Sequence, residues 1–252
     1  MQVQSPMHEN AVAFYLITAF VIFLIGISKG GLGGAAGAAA TPLMALVMPV
    51  EQVLGLMLPL LMLADIFAVA SHWRRWDNRL LLLLVPASLI GISAGTLLLT
   101  TISPDALRRG LAVIVILFVL YKLFEGRILR AMTYQPKGWH GMLTGIVAGF
   151  TSTLAHTGGP PVAIYLLMQQ VTPRVFVATS AVYFAIINWL KVPYYIYAGV
   201  LDLNQLRQVV WLLPLIPVSV FVGRWLSTRI NKTTFDRVII GLLAASAVLL
   251  LR

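Results

Sequence analysis

The sequence predicts an all-α polytopic membrane protein built from two inverted-topology repeats. Each repeat holds about five hydrophobic segments, eight to ten in total, some of them short, broken or re-entrant. Three observations predict this. First, 60% of the 252 residues are hydrophobic and 10% are charged, against about 25% charged in a soluble domain, so the chain lacks the polar shell that water demands. Second, the apolar runs are continuous rather than alternating, which excludes a β-barrel and leaves helices as the way to satisfy the backbone in lipid. Third, the chain reads twice. Gly26 to Asp65 aligns with Gly149 to Asn188 at an offset of 123 residues, and Ser28 falls on Thr151. Further on the offset widens to 128, where Pro86 meets Pro214, Gly95 meets Gly223 and Arg109 meets Arg237.

Helical segments are expected near 11–29, 34–48, 52–72, 79–101 and 106–124, and again near 140–155, 159–170, 174–199, 206–228 and 235–251. The second segment of each set is shorter than the roughly 20 residues a span needs, which leaves either a tilted span or a re-entrant turn. The expected organisation is a first transmembrane repeat over 11–124, a cytoplasmic linker over 125–137 and a second transmembrane repeat over 138–251. Duplicated halves that each carry a short, glycine-interrupted segment are the pattern of secondary transporters, with the substrate at the interruptions.

The net charge of +10 would suggest nucleic acid in a soluble chain, but here it lies mostly in loops, and no nucleic-acid partner is expected. With no cysteine, disulfides, thiolate metal sites and thiol nucleophiles are excluded. No cofactor and no metal are expected. The N-terminus before Ala11 holds no Lys or Arg, unlike a secretory signal, so the first segment is expected to be retained. Placing the loop of Arg74, Arg75 and Arg79 inside puts twelve basic residues on the cytoplasmic side and four outside (Arg108, Arg109, Arg207 and Arg252), as the positive-inside rule requires. The expectation is a multi-pass protein of the cell inner membrane with both termini periplasmic and the halves inverted. Trp73, Trp76, Trp139, Trp211 and Trp225 fall at segment ends, suiting the headgroup layer; Trp189 does not, and is expected to face a helix or a cavity.

At the first interruption stand Ser28, Lys29, Gly30, Gly31, Gly33 and Gly34, and at the second Thr151, Ser152, Thr153, His156, Thr157, Gly158 and Gly159, followed by Pro160 and Pro161. Such breaks are expected to present helix N-termini, whose free N–H groups and partial positive charge bind anions, with hydroxyls from Ser28, Thr151, Ser152 and Thr153 as further donors. The competing reading is packing, because Gly26/Gly30, Gly33/Gly37, Gly91/Gly95 and Gly145/Gly149 have G-x-x-x-G spacing. Packing is taken for Gly91 and Gly95; at the two breaks the accompanying Lys29 and His156 favour binding.

Lys29, Asp65, His156 and Lys191 are ionisable residues at depth, costly to insert and therefore candidates for function. Two cations and a histidine against one carboxylate favour a small anionic substrate. Asn188 and Lys191, three apart, share one helix face. Asp65 and His156 are candidate proton-coupling groups; Asp65 can alternatively form a structural pair with a lysine. Lys29 can snorkel. Gly26 to Gly30 also spells G-x-S-x-G, the serine-hydrolase pattern, with His156 as a conceivable base; its repeat counterpart lacks the pattern, which weighs against an enzyme.

The stretch GISKGGLGGAAGAAATPLM, the second-half stretch TLAHTGGPPVAIYLL and the spacing of the halves resemble the TauE/SafE family of sulfite and organosulfonate transporters, also described as the 4-toluene sulfonate uptake permease family. The resemblance covers nearly the whole chain. It implies transport of sulfite or an organosulfonate such as sulfoacetate, and makes Ser28 to Gly34 and Thr151 to Pro161 the anion site, with His156 departing from the usual glycine-rich second break. Export fits the energetics: a dianion leaving an inside-negative cell gains roughly 4.6 kcal/mol per 100 mV, with no coupling ion needed. The alternative of the same architecture is an anion channel.

Overall fold

The computed structural model describes residues 11–32, 34–131, 136–227, 229 and 231–251. These form helices, with no strand among them. In chain order they are α1 (Ala11–Ile27), a π-helical turn (Ser28–Leu32), α2 (Gly34–Ala38), α3 (Ala40–Met44), α4 (Val50–Ser71), α5 (Asn78–Thr101) and α6 (Pro104–Ala131). There follow α7 (Gly138–Ala155), α8 (Gly159–Met168), α9 (Pro173–Tyr197), α10 (Leu203–Val209), a 3₁₀ turn (Val210–Leu212), α11 (Leu215–Leu226) and α12 (Lys232–Leu250).

The ends of these helices are written locally. Asp77 caps α5 by accepting from the backbone N–H groups of Arg79 and Leu80 at 2.8 and 3.3 Å. Thr172 caps α9 ahead of Pro173, and Asp202 caps α10. Short polar side chains at this position satisfy donors that the helix itself leaves free. Pro59, Pro86 and Pro193 lie inside α4, α5 and α9 without breaking them. Pro214, which the repeat aligns with Pro86, instead marks a bend of 59° between Leu203–Leu212 and Leu215–Leu226.

Among the described residues four stretches are long and apolar enough to cross a membrane: Val12–Gly31, Val50–Ser71, Asn78–Thr101 and Pro173–Tyr197. The bent pair adds a fifth if it counts as one span. By contrast α8, with 10 residues, is about 15 Å long, half of a ~30 Å hydrocarbon core. It runs back along α7: a Cβ on Gly158 would lie 2.7 Å from the Ala148 carbonyl oxygen, and one on Gly141 would lie 2.6 Å from the Tyr165 hydroxyl. Seven residues forward from Gly158 thus match seven backward on α7, so α7 and α8 form an antiparallel hairpin.

The helices pack as α1 on α11, α5 on α7, α4 on α9 and α6 on α12. Glycines set the closest of these contacts. A Cβ on Gly91 would fall 2.0 Å from the Ile146 carbonyl oxygen, and on Gly145 and Gly149 it would fall 2.3 Å from those of Leu84 and Ser88. Backbones meet there directly, which small residues permit and dispersion rewards. Gly95 abuts Phe150 and Thr153, while Gly223 abuts Ile27 and the Cβ position of Gly30. These two sets correspond under the sequence alignment. Trp189 is 62% exposed on α9. It faces outward, not a helix or a cavity as expected, which suits a side chain bathed by lipid.

Candidate functional site

Depth can be read from α9. The backbone N–H of Asp77, in the α4–α5 loop, donates to Thr179 at 3.0 Å. Asn188 stands nine residues further along α9, about 13 Å from that level and well inside the apolar stretch Pro173–Tyr197. Around it the polar side chains of both breaks converge.

The first group joins α4, α9 and the π-helical turn. Lys29 donates to Asp65 Oδ1 at 2.5 Å, and Asn188 Nδ2 donates to Oδ2 at 2.7 Å. Asp65 and Asn188 are each 2% exposed, so both carboxylate oxygens are partnered away from water, as burial of a charge requires. Lys29 also lies over the Phe184 ring, 5.0 Å from its centre. Asp65 has the structural lysine partner, and that partner is Lys29. Asp65 and Asn188, aligned with each other by the duplication, touch each other.

The second group surrounds Lys191, which has no exposed surface. Its ammonium donates to the Ser152 carbonyl and hydroxyl oxygens at 3.3 and 3.1 Å and to His156 Nδ1 at 3.0 Å. His156 Nε2 lies 3.1 Å from the Leu54 carbonyl oxygen. Since a carbonyl only accepts and an ammonium only donates, the imidazole fits this pair of contacts as the neutral Nε2–H tautomer. Among the described residues no carboxylate lies within ion-pair distance of Lys191. Its closest contacts are neutral oxygens, a ring nitrogen and the Tyr195 ring, 5.7 Å from the ammonium, and the Asp65 carboxylate acts on it from beyond ion-pair distance. The C-terminal carbonyls of α7 carry partial negative charge and help hold it there.

Backbone geometry places these groups. His156 ends α7 with φ 53°, a left-handed cap, which turns the chain into α8 and aims the imidazole at Leu54. Gly31 has φ 133° in the π-helical turn, a conformation open to glycine and strained for other residues. The helices after the two breaks, α2 and α8, touch each other.

Not every expected donor is available. Thr151 and Thr153 donate to the carbonyls of Val147 and Gly149 one turn back, each at 2.9 Å, and Thr157 donates to Thr151 at 3.5 Å. Their hydroxyl protons are spent on the backbone, a habit of Ser and Thr inside apolar helices. The Ser152 hydroxyl oxygen accepts from Lys191, which leaves its proton free. Pro160 and Pro161 occupy the first turn of α8 and carry no N–H. That terminus therefore offers fewer donors than a free helix end, and the positive charge of the site comes from lysine instead. Gly30 is a packing residue: a Cβ there would lie 2.3 Å from the Val220 carbonyl oxygen of α11. Gly158 is likewise pressed on α7, whereas Gly159 faces open space. Gly33 lies outside the described residues. Ser28 sits beside Gly37, whose Cβ would come within 2.9 Å of its hydroxyl.

Sequence reasoning missed Leu54, whose carbonyl orients the imidazole, and Tyr195, whose hydroxyl donates to the Thr153 carbonyl at 2.7 Å. A backbone carbonyl leaves no mark in a sequence. Tyr195 lies four residues beyond Lys191 on the same helix face and was legible by that spacing.

No curated protein and no solved structure matches this chain. The family model described as "Sulfite exporter TauE/SafE" matches residues 18–250, from within α1 to the end of α12. That family is one of membrane transporters of sulfur-containing anions and not of enzymes, in keeping with an imidazole whose two nitrogens are engaged by Lys191 and Leu54. With nearly its whole length matched, the chain belongs to the sulfite exporter TauE/SafE family.

Proposed function

We propose that the protein is a secondary transporter that moves sulfite or a small organosulfonate out of the cell by alternating access, through the polar cluster between α4, α9 and the α7–α8 turn. The observation that carries this reading is Lys191: a fully buried ammonium with no carboxylate partner among the described residues. An unpaired charge in apolar surroundings is costly, and an entering anion would supply the missing counter-charge. Lys29, already matched to Asp65, lends less.

The halves are inverted repeats in this reading. Support comes from the cross-packing of α1 on α11 and α7 on α5, from the matched contacts of Gly95 and Gly223, and from the direct bond between aligned Asp65 and Asn188. A two-fold axis between the halves brings equivalent residues together in this way. Alternating access then exchanges the environments of the two halves around the cluster. The basic loops face the cytoplasm, both termini face the periplasm, and an inside-negative potential drives the anion outward.

The test is counterflow. Proteoliposomes loaded with unlabelled sulfite should accumulate external [³⁵S]sulfite transiently, and initial rates should saturate with concentration. Flux that neither saturates nor shows counterflow would identify a channel, and no sulfite or sulfoacetate flux would refute the substrate assignment.

A further inference from the structure

One ring nitrogen in the central cluster has two uses that exclude each other. His156 Nδ1 has a single lone pair, and the Lys191 ammonium donates into it at 3.0 Å. The same lone pair is where the ring would take a second proton, because Nε2 already carries one and directs it at the Leu54 carbonyl oxygen, 3.1 Å away. While Nδ1 accepts from Lys191 the imidazole therefore stays neutral. An imidazolium has no acceptor left and would set N–H against N–H.

The charges around the ring give the empty site a definite sign. Lys191 and Tyr195 reach it from α9, and Lys29 acts on it from the π-helical turn. Asp65 on α4 pairs with Lys29 and acts on Lys191 from further off, while Glu51 stands in the first turn of the same helix. On α5 and α8 the charged or titratable residues are Arg79 and Tyr165, which line a cavity with Gly138 at the far end of α7, and the middle of α6, 110–120, has none. Lys29 and Asp65 cancel, and the neutral imidazole adds nothing. The cluster is thus left with the one positive charge of Lys191, which a monoanion matches and a dianion exceeds.

We infer that His156 Nδ1 is the proton-coupling atom of the central site: a monoanion binds beside Lys191 alone, whereas a dianion binds together with one proton, which His156 takes at Nδ1. The inference rests on the reading given under Proposed function. An arriving anion replaces Nδ1 as the acceptor for Lys191 and so frees the lone pair. One proton then leaves the water on the side of entry, forms the Nδ1–H bond that donates to the anion, and returns to water on the far side when the anion leaves. Asp65 is the poorer carrier, because a proton there would remove the counter-charge of Lys29 and an acceptor oxygen that Lys29 or Asn188 uses. One net negative charge crosses per cycle with either kind of anion, so the membrane potential drives both alike.

Equilibrium binding to the purified full chain in lipid nanodiscs, followed against pH, tests this. A sulfonate stays ionised throughout and a carboxyl ionises near about pH 4, so above about pH 6 methanesulfonate is a fixed monoanion and sulfoacetate a fixed dianion. For each anion the slope of log Kd against pH counts the protons taken up on binding. The slope for sulfoacetate should exceed that for methanesulfonate by one, an extra weakening of about tenfold per pH unit. In His156→Asn, whose new side chain does not titrate, the two slopes should coincide, and methanesulfonate binding shows that the variant is folded; His156→Gln is a second variant of the same kind. Equal slopes in wild type, binding of only one of the two anions, or a difference of one that persists in these variants overturns the inference and leaves the central site standing. A Lys191→Met protein that binds both anions as wild type does overturns the central-site reading and this inference together, as does a wild type that binds neither.

Discussion

Replacing Asp65 by Asn keeps the shape of the side chain and removes its charge, which isolates the electrostatic part of the first group. In the native cluster one carboxylate oxygen faces the Lys29 ammonium at 2.5 Å and the other faces the Asn188 amide at 2.7 Å. In the variant one oxygen becomes an NH₂ group. Asn188 can turn its own carbonyl toward that group and recover a hydrogen bond, but nothing restores the counter-charge of Lys29. Breaking a buried pair by removing one partner costs about 3–5 kcal/mol. The Lys29 side chain keeps 16% of its surface accessible, so partial solvation puts the loss at the low end, about 3 kcal/mol. For a chain of this size each kcal/mol shifts the melting temperature by about 2–4 °C, so the variant should melt about 6–12 °C lower. Tryptophan fluorescence during heating in detergent reads this directly. Lys29→Met should be destabilising too, by stranding the carboxylate. The Lys29→Met/Asp65→Asn double variant should recover part of the loss, with a coupling of about 2 kcal/mol. If Asp65→Asn melts within about 2 °C of wild type, or if the two losses simply add, the pair is not the electrostatic unit described here.

Glycine substitutions separate packing from open space: Gly30→Ala and Gly149→Ala each drive a Cβ to 2.3 Å from a backbone oxygen and should cost about 1–3 kcal/mol in melting experiments. Gly159→Ala, with nothing within 4 Å, should be nearly neutral. His156→Asn should keep the left-handed cap, which Asn tolerates, yet lose sulfite flux because Asn is too short to bridge Lys191 and Leu54. His156→Val should lose stability as well, by about 1–2 kcal/mol, because a β-branched residue resists φ 53°; circular dichroism melts distinguish the two.

Much of the fold was legible because lipid leaves few options. Apolar runs and basic loops located the helices, and two glycine-rich interruptions located the breaks, since a helix in hydrocarbon is interrupted only where the protein can satisfy the exposed backbone. The repeat alignment pairs Asp65 with Asn188, and the two side chains are in contact; in the inverted-repeat reading proposed above, equivalent residues meet where they lie near the axis. Other features depend on which helix lies opposite. Gly30 looks like a binding glycine until α11 is placed against it, and Thr151 and Thr153 look like donors until their protons are found on carbonyls four residues back. Two prolines suit the start of α8 yet remove N–H groups from the terminus they start. His156 as a left-handed cap had no signal in the sequence, because glycine or asparagine is the usual occupant.

Sulfite flux through Lys191→Met bears most directly on the account, because Met keeps the length and apolar stem of the side chain while removing a fully buried ammonium that has no carboxylate within ion-pair distance among the described residues. In proteoliposomes the variant should fold, because Met fills the space of the lysine stem and leaves no buried ammonium behind. It should show neither saturable flux nor counterflow of [³⁵S]sulfite. Wild-type rates in a folded Lys191→Met protein would contradict the claim that this ammonium receives the anion.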